Sequence, residues 1–469
     1  MRRALAVTAT TTITLLLTAG PAAAHGLVGK QDLPVPKWLF TWAAAIVLIV
    51  SFVGLAVLWP RPRLQDVRVR VVARVPAAAS VVCGAAGVAA FVGLLYAGFA
   101  GIQTDDANLL PTSVYVVFWV GLAFASFLFG DVFRAFNPWL AIGRFAGWLS
   151  TRLAGDRLPA SLPYPERLGH WPAVVGLLAF AWLELASTDR GDPTTLAFLV
   201  LVYIAAQLVG MSLYGTRAWA DRGDAFSVYF GLFARISPLD WSGGRLAIRA
   251  PLGGLPPMET PRGTVALLAV MIGSTTFDGL TMGAAWTDVA PWLQDRFTSL
   301  GVEKAVALQA AFTVGLLVAI GAVWGLYRVG IAGVHGIDRA RPAARLADLF
   351  AHTLVPIALA YVVAHYFGLL SYQGQAMAYL LSDPLGDGSD LLGTASTAID
   401  YDWISATGIW YVQVGALVVG HVAGLILAHD RAIALYADPR QAVRSQYWML
   451  AVMVGFTCLA LWLVSGAGS

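Results

Sequence analysis

The sequence predicts an all-α polytopic membrane protein, and three observations lead to that prediction. Of its 469 residues, 58% are hydrophobic and only 12% are charged, whereas a soluble domain has about 25% charged residues. Ten apolar runs follow the first 24 residues, and each approaches or exceeds the length of about 20 residues that a membrane-crossing helix needs. The loops between these runs carry their arginines on alternate sides, as membrane proteins do.

The first element is a secretory signal peptide predicted over residues 1–24. Arg2 and Arg3 form a positive start, an apolar stretch runs from Leu5 to Leu17, and the alanines at 22–24 satisfy the small-residue rule for cleavage. We therefore expect a single transmembrane domain over 25–469 that begins with His25 outside the cytoplasm. The alternative is an uncleaved first membrane helix.

The ten apolar runs are the predicted transmembrane helices. They lie at 38–59, 77–100, 111–130, 171–187, 194–214, 263–287, 305–327, 347–370, 404–428 and 447–465. With His25 outside, every second loop faces inward, at 60–76, 131–170, 215–262, 328–346 and 429–446. These loops hold 23 of the 30 Lys and Arg residues, which is the bias expected of cytoplasmic loops. The sequence thus predicts ten spans with both termini outside.

Two segments on the inner side are predicted to be amphipathic rather than spanning. The stretch "GDVFRAFNPWLAIGRFAGWL" begins at Gly130, and "GDAFSVYFGLFARISPLDW" begins at Gly223. Both open with Gly-Asp-x-Phe and carry an arginine beyond a hydrophobic turn. Such segments are expected to lie in the membrane interface with their tryptophans at headgroup level.

Charged residues inside apolar runs indicate functional sites, because each costs several kcal/mol or more at bilayer depth. Asp278 lies in "GSTTFDGLTMG", whose glycines and hydroxyl residues suggest a locally opened helix, in the outer half of its run. Glu184 and His365 lie near the outer ends of theirs. Together with His25, these residues offer the imidazole and carboxylate ligands of a divalent metal such as Zn or Cu. The alternatives are packing contacts for Asp278 and an interfacial position for Glu184.

A second layer is predicted near the inner ends of two antiparallel runs. His352 and His421 lie at similar depths there, and a facing pair of histidines suits a haem iron or a proton relay. The more ordinary alternative is that each bonds to neighbouring groups. His170, His335 and His429 lie at the inner surface and are expected to be solvated.

The outer loop 371–403 carries five aspartates and neither Lys nor Arg. An acidic loop at the outer surface attracts cations. Alternatively, it is an ordinary solvated loop that lacks Lys and Arg because these residues favour the inner loops. The two cysteines, Cys83 and Cys458, lie inside apolar runs, so no disulfide framework or cysteine metal site is indicated. The scattered arginines give no basis for nucleic-acid binding.

Several phrases are similar to a family of bacterial polytopic membrane proteins known as fenitrothion hydrolases. They are "AHGLVGKQDLPVPKWLF" at 24–40, "FGDVFRAFNPWLAIGR" at 129–144, "STTFDGL" at 274–280, "PIALAYVVAHYFGLLSYQGQ" at 356–375, "SDPLGDGSD" at 382–390 and "RSQYWMLAVMVGFT" at 444–457. The resemblance extends along the whole mature chain. It implies a protein of the bacterial cytoplasmic membrane that hydrolyses an organophosphorus triester, an apolar substrate that partitions into lipid.

Two functions from different classes are compatible with these residues. In a hydrolase, a metal held by His365 and Asp278 activates water at the outer face, and Glu184 acts as a further ligand or general base. In a metal-ion transport or handling protein, the same residues form a binding station on a path to the inner histidines. A transporter needs His352 and His421 to be reachable from the outer site, whereas a hydrolase does not. A structural subunit of a membrane complex is a third alternative.

Overall fold

The computed structural model describes residues 37–154 and 161–466 of the chain. The predicted signal peptide and His25 lie outside the described residues.

The described chain is predominantly α-helical. In chain order the helices are α1 (Lys37–Leu58), α2 (Ala77–Ala100), α3 (Leu109–Phe129), α4 (Val132–Phe136), α5 (Pro138–Ala154), α6 (Trp171–Leu185), α7 (Pro193–Tyr214), α8 (Thr216–Arg222), α9 (Ala225–Ala234), α10 (Thr264–Thr281), α11 (Ala284–Ser299), α12 (Lys304–Ile337), α13 (Ala343–Phe350), α14 (Leu354–Gln373), α15 (Met377–Ser382), α16 (Ala406–Leu435), α17 (Pro439–Ser445) and α18 (Tyr447–Gly466). The middle of α3, Ser113–Gly121, is π-helical. Short 3₁₀ turns at Ala351–Thr353 and Gly374–Ala376 join α13, α14 and α15 into one continuous apolar helical segment, Ala343–Ser382.

Seven helices in the described part of the chain are long and apolar enough to cross a membrane. They are Ala77–Ala100, Leu109–Phe129, Pro193–Tyr214, Thr264–Thr281, Lys304–Ile337, Ala343–Ser382 and Ala406–Leu435. Shorter apolar helices occupy Trp42–Leu58, Trp171–Leu185 and Ala225–Ala234. The prediction of a helical membrane protein is confirmed at this level.

The loops predicted to face inward meet at one end of the bundle, called here the arginine-rich end. Two of them, 60–76 and 215–262, form a small antiparallel sheet in the order β1 (Arg70–Arg74), β3 (Arg245–Ile248), β2 (Leu239–Asp240). Arg70 and Leu239 both pair with Ile248. The sheet was not predicted, because two short strands and one of five residues leave no clear alternation in the sequence.

The centre of the bundle is formed by α10 and α14, whose side chains are buried on nearly every side. Helix α16 approaches α14 closely at two glycines. A Cβ atom at Gly420 would lie 2.3 Å from the Ala360 side chain, and one at Gly424 would lie 2.9 Å from the Thr353 carbonyl oxygen. Small residues at such crossings let helix backbones pack against each other within a membrane.

The second amphipathic segment is not interfacial, which corrects the prediction. Helix α9 is buried along almost its whole length, and Tyr229, Phe230 and Phe233 are at most 1% exposed. The reason is visible in its sequence, "AFSVYFGLFA", which is apolar all round rather than on one face. The first segment differs, because helix α5 exposes Phe145 and Trp148, as an interfacial helix does.

Asp224 explains how α9 is held inside the bundle. Its carboxylate accepts hydrogen bonds from Trp139 Nε1 at 2.6 Å, Tyr203 OH at 2.7 Å and the backbone amide of Phe226 at 3.2 Å. It also accepts a bond from Ser227 Oγ at 2.5 Å. A carboxylate with this many donors is well satisfied without solvent. Asp224 therefore caps α9 and joins it to α5 and α7.

Candidate functional site

Asp278 lies in the last turn of α10 and is 1% exposed. The helix is continuous up to Thr281, so the predicted local opening around Asp278 is wrong. The hydroxyls of Thr275 and Thr276 donate to carbonyl oxygens of the preceding turn, at 3.2 and 2.8 Å. Because serine and threonine can bond within their own helix in this way, hydroxyl residues in a transmembrane run need not indicate an opened backbone.

Asp278 and His365 are in direct contact. The sequence groups them only because both lie in the outer half of their runs. His365 Nε2 lies 2.8 Å from Asp278 Oδ2, and Tyr366 OH donates to the same oxygen at 2.9 Å. Since a carboxylate oxygen accepts, Nε2 carries the proton and Nδ1 is left as the second functional atom of the ring. All three side chains are buried, with 1% exposure for Asp278 and 8% for His365.

The other ring nitrogen of His365 faces the backbone of α10 at Gly279. A Cβ atom at Gly279 would lie 3.7 Å from Nδ1 and 3.9 Å from Cε1, and no atom of another helix besides these would come within 4 Å of it. The glycine therefore leaves space beside Nδ1. Neither Gly279 nor Tyr366 was predicted as part of the site, although the first follows Asp278 directly and the second follows His365 directly.

Glu184 belongs to the same buried layer. It lies in the last turn of α6, is 6% exposed, and its carboxyl group is close enough to interact electrostatically with that of Asp278. The guanidinium of Arg190 bonds to the backbone oxygen of Glu184 at 3.2 Å rather than to the carboxylate. The Glu184 side chain is enclosed by the bundle rather than exposed on its outer surface.

Two aromatic side chains line this layer and were not predicted. The rings of Trp119 and Tyr229 stack with centroids 4.6 Å apart, and Tyr229 interacts electrostatically with Glu184. Within the described chain, Tyr229 OH is buried without a hydrogen-bond partner. Unsatisfied buried donors are rare in proteins. Trp119 lies in the apolar run 111–130 and Tyr229 in the second amphipathic segment, and in both places a polar aromatic residue among apolar ones is the signal that could have identified it.

The outer residues do not form a three-ligand metal site among themselves. No group of three or more His, Cys, Asp or Glu side chains suited to a metal occurs in residues 37–154 and 161–466. Asp278 and His365 supply two ligands, but their direct hydrogen bond leaves no room for an ion between the bonded atoms. A catalytic zinc ion needs three protein ligands. Among the described residues, Asp278 and His365 are thus the two predicted metal ligands that meet, and His25, the third predicted ligand, lies outside the described residues.

The inner histidines are both buried but are not joined to each other by any hydrogen bond found in the described chain. His421 Nδ1 bonds to the backbone oxygen of Leu417 at 2.7 Å, and its ring lies 6.1 Å from that of Tyr361. His352 lies towards Arg431, with which it interacts electrostatically. The alternative given above, that each inner histidine bonds to neighbouring groups, therefore holds for the Nδ1 atom of His421.

Two of the three histidines expected to be solvated are buried. His429 is 1% exposed and bonds to Trp59 and Gln446. His170, at the start of α6, is 6% exposed. Burial, followed by the charges of Arg222 and Arg235, lowers the pKa of His170 to about 4. Burial at the arginine-rich end therefore favours the neutral form of His170.

The acidic loop uses its carboxylates to hold its own backbone. Asp383 accepts bonds from the amides of Asp387 and Gly388, each at 3.0 Å, and Asp390 accepts one from Ala395 at 3.0 Å. Hydrogen bonds from Ser389 lower the pKa of Asp387, and those from Ser382 and Ala395 lower that of Asp390. The loop is therefore an ordered structure in which these aspartates have structural roles.

Comparison of the chain with protein-family models, curated proteins and solved structures gives no match.

Proposed function

We propose that the chain is a bacterial cytoplasmic-membrane hydrolase with ten spans and both termini outside, and that its reactive site lies in the outer half of the membrane. The substrate class, an apolar organophosphorus triester, is the one that the resemblance implies. The observation that carries the proposal is the buried hydrogen bond between His365 Nε2 and Asp278 Oδ2 at 2.8 Å. An imidazole oriented by a buried carboxylate is a recurrent general-base arrangement in hydrolases.

The proposed reaction uses the side chains of this chain alone. His365 Nδ1, on the side of the ring away from Asp278, removes a proton from water while the water oxygen bonds to phosphorus and the aryloxide leaves. Asp278 stabilises the imidazolium that forms, and Tyr366 holds the carboxylate in place by bonding to the same oxygen. A positioned base of this kind contributes about 10²–10⁴-fold to a rate.

The first experiment is an assay of nitrophenol release from fenitrothion by the purified chain in detergent. We expect hydrolysis by the parent and a loss of about 10²-fold or more in His365→Asn and Asp278→Asn. His335→Asn is the matched control, because His335 is half-buried at the arginine-rich end and bonds only to the Arg341 backbone oxygen among the described residues. No hydrolysis by the parent, or equal rates in all four proteins, would refute the proposal.

A second candidate function is cation transport, of protons or metal ions, and the position of Glu184 favours it. Two buried carboxyl groups, Glu184 and Asp278, share one layer of an apolar bundle, and ionisable residues in such places mark ion pathways in many transporters. Reconstituted vesicles with a pH-sensitive or metal-sensitive dye inside test this function. Glu184→Gln is expected to abolish flux while leaving the melting temperature near that of the parent. Flux unaffected by Glu184→Gln would exclude this candidate.

A further inference from the structure

A cavity of about 50 Å³ lies towards the arginine-rich end, between α12, α14, α16 and α18. Its lining is almost entirely apolar. His421, Met449 and Met453 line it, together with Tyr327 and Thr353. None of these residues belongs to the Asp278–His365 site, so a ligand held in this cavity is independent of the proposed hydrolysis.

His421, which lines this cavity, carries a lone pair that no described residue uses. The residue is 0% exposed, and its Nδ1 atom bonds to the Leu417 carbonyl oxygen of its own helix at 2.7 Å. Since the carbonyl accepts, Nδ1 carries the proton and Nε2 of the neutral ring is an acceptor. Nε2 is buried and has no hydrogen-bond partner in the described chain. A buried polar atom left unpaired costs about 1–3 kcal/mol.

The cavity has no free donor for that lone pair among the described residues. Tyr327 OH donates to the Ala347 carbonyl oxygen at 2.6 Å, and Thr353 Oγ1 donates to that of Phe350 at 2.8 Å. A water molecule held at Nε2 would find no donor for its own lone pairs, whereas buried waters usually make about three bonds. The atom is therefore better matched by a species that accepts an electron pair.

The remaining lining groups with electron pairs to offer are thioethers. Met449 and Met453 are one turn apart on α18, so both side chains lie on the same face. Methionine adapts its shape readily. One imidazole nitrogen and two thioether sulfurs form a soft ligand set that selects Cu(I).

The absence of charged residues from the cavity lining also favours Cu(I). All of the residues that line the cavity are neutral, and burying a doubly charged ion without a counter-charge is far more costly than burying a singly charged one. We propose that His421, Met449 and Met453 form a Cu(I)-binding site in the membrane interior. Zn(II), which prefers anionic or several nitrogen ligands, is excluded by the same ligand set.

The test is anaerobic titration of the purified full-length chain with Cu(I), using a chromogenic chelator as competitor, followed by elemental analysis and X-ray absorption spectroscopy. We expect one tightly held equivalent with both sulfur and nitrogen ligands. The double variant Met449→Leu/Met453→Leu is expected to bind it at least tenfold more weakly, and so is His421→Asn. Met211→Leu, a buried methionine outside the cavity, is the control and is expected to bind like the parent.

Leucine and methionine have similar volumes, so the double variant is expected to remain folded. Its melting temperature without copper checks this directly. Copper bound with parental affinity by a folded double variant would overturn the proposal, as would a spectrum without sulfur ligands. Binding of Zn(II) at the same site, detected by its displacement of Cu(I), would also overturn it. Failure of the parent to retain any copper would do the same.

Discussion

Asp430 is the residue whose substitution is expected to weaken the arginine-rich end most. It lies in α16, is 0% exposed, and holds the segment that leaves α1. Its Oδ1 atom accepts bonds from Trp59 Nε1 at 3.0 Å and the amide of Arg63 at 2.6 Å, and its Oδ2 atom accepts one from Gln65 Nε2 at 2.7 Å. The amide of Leu64 lies 3.2 Å from Oδ2 and 3.3 Å from Oδ1.

The loss of unfolding free energy depends on which of these donors can form a hydrogen bond with water once the carboxylate is removed. In Asp430→Ala, the exposed Arg63 amide can be solvated, and the flexible Gln65 amide group can reorient. The partly buried Trp59 indole and the buried Leu64 amide cannot. Each unsatisfied buried donor costs about 1–3 kcal/mol, so the variant is expected to lose about 2–6 kcal/mol. Asp430→Asn keeps one acceptor oxygen and is expected to lose about 1–3 kcal/mol, mainly at Leu64.

The assay is thermal unfolding of the purified chain in one detergent, followed by tryptophan fluorescence. Asp438→Asn is the matched control, because Asp438 is an exposed cap of α17 whose side chain accepts a bond from the Arg440 amide, and Asn caps helices about as well as Asp. We expect the control to have the highest melting temperature, Asp430→Asn a lower one and Asp430→Ala the lowest. Equal melting temperatures for Asp430→Ala and the control would refute the reasoning, because the four bonds would then contribute nothing.

Two further predictions concern other parts of the bundle. The pKa of His170, lowered to about 4, is below its unfolded value of 6.5, so its contribution is complete above pH 6.5 and is lost as the pH falls towards 4. The drop in melting temperature between pH 7.5 and 5 is therefore expected to be smaller in His170→Gln, and an unchanged drop would contradict this. Gly315→Ala places a Cβ atom 2.3 Å from the Trp286 ring, whereas Gly321→Ala, on the same helix, meets nothing within 4 Å. The first is expected to lose about 1–3 kcal/mol and the second to gain up to about 1 kcal/mol, as measured by thermal unfolding. Equal stability of the two would contradict it.

The helices themselves were largely predictable from hydropathy. The predicted run 77–100 coincides with α2, and 194–214 differs from α7 by one residue. Helix α12 is less well predicted, because it extends ten residues beyond the predicted 305–327. Hydropathy reports where a chain ceases to be apolar, and a helix can continue past that point into polar surroundings. Helix ends were therefore predicted less well than helix positions.

The site was predictable in its depth but not in its contacts. Spacing alone placed Asp278 and His365 in the same layer, and the structure joins them. Their contact depends on the packing of α10 beside α14, which no periodicity in one sequence encodes. Burial of His170, His429 and α9 was missed for a related reason: residues of the inward-facing loops were assumed to lie at the surface or in the membrane interface, whereas neighbouring segments cover them.

The region between the two polar layers bears on the choice between hydrolysis and transport. Helix α14 carries His365 at one level, and Thr353, which lines the inner cavity, precedes its first residue. Thr353 and His365 are twelve residues apart in sequence, which corresponds to about 18 Å of helix. Nearly all the intervening side chains are apolar and most are buried, and the hydroxyl of Tyr361 is engaged by the Phe456 carbonyl oxygen at 3.3 Å. A proton or metal path through the bundle needs polar groups or water at this depth. In the described conformation the helix therefore separates the proposed outer acid–base site from the proposed inner copper site, and this separation favours two independent sites over one continuous pathway.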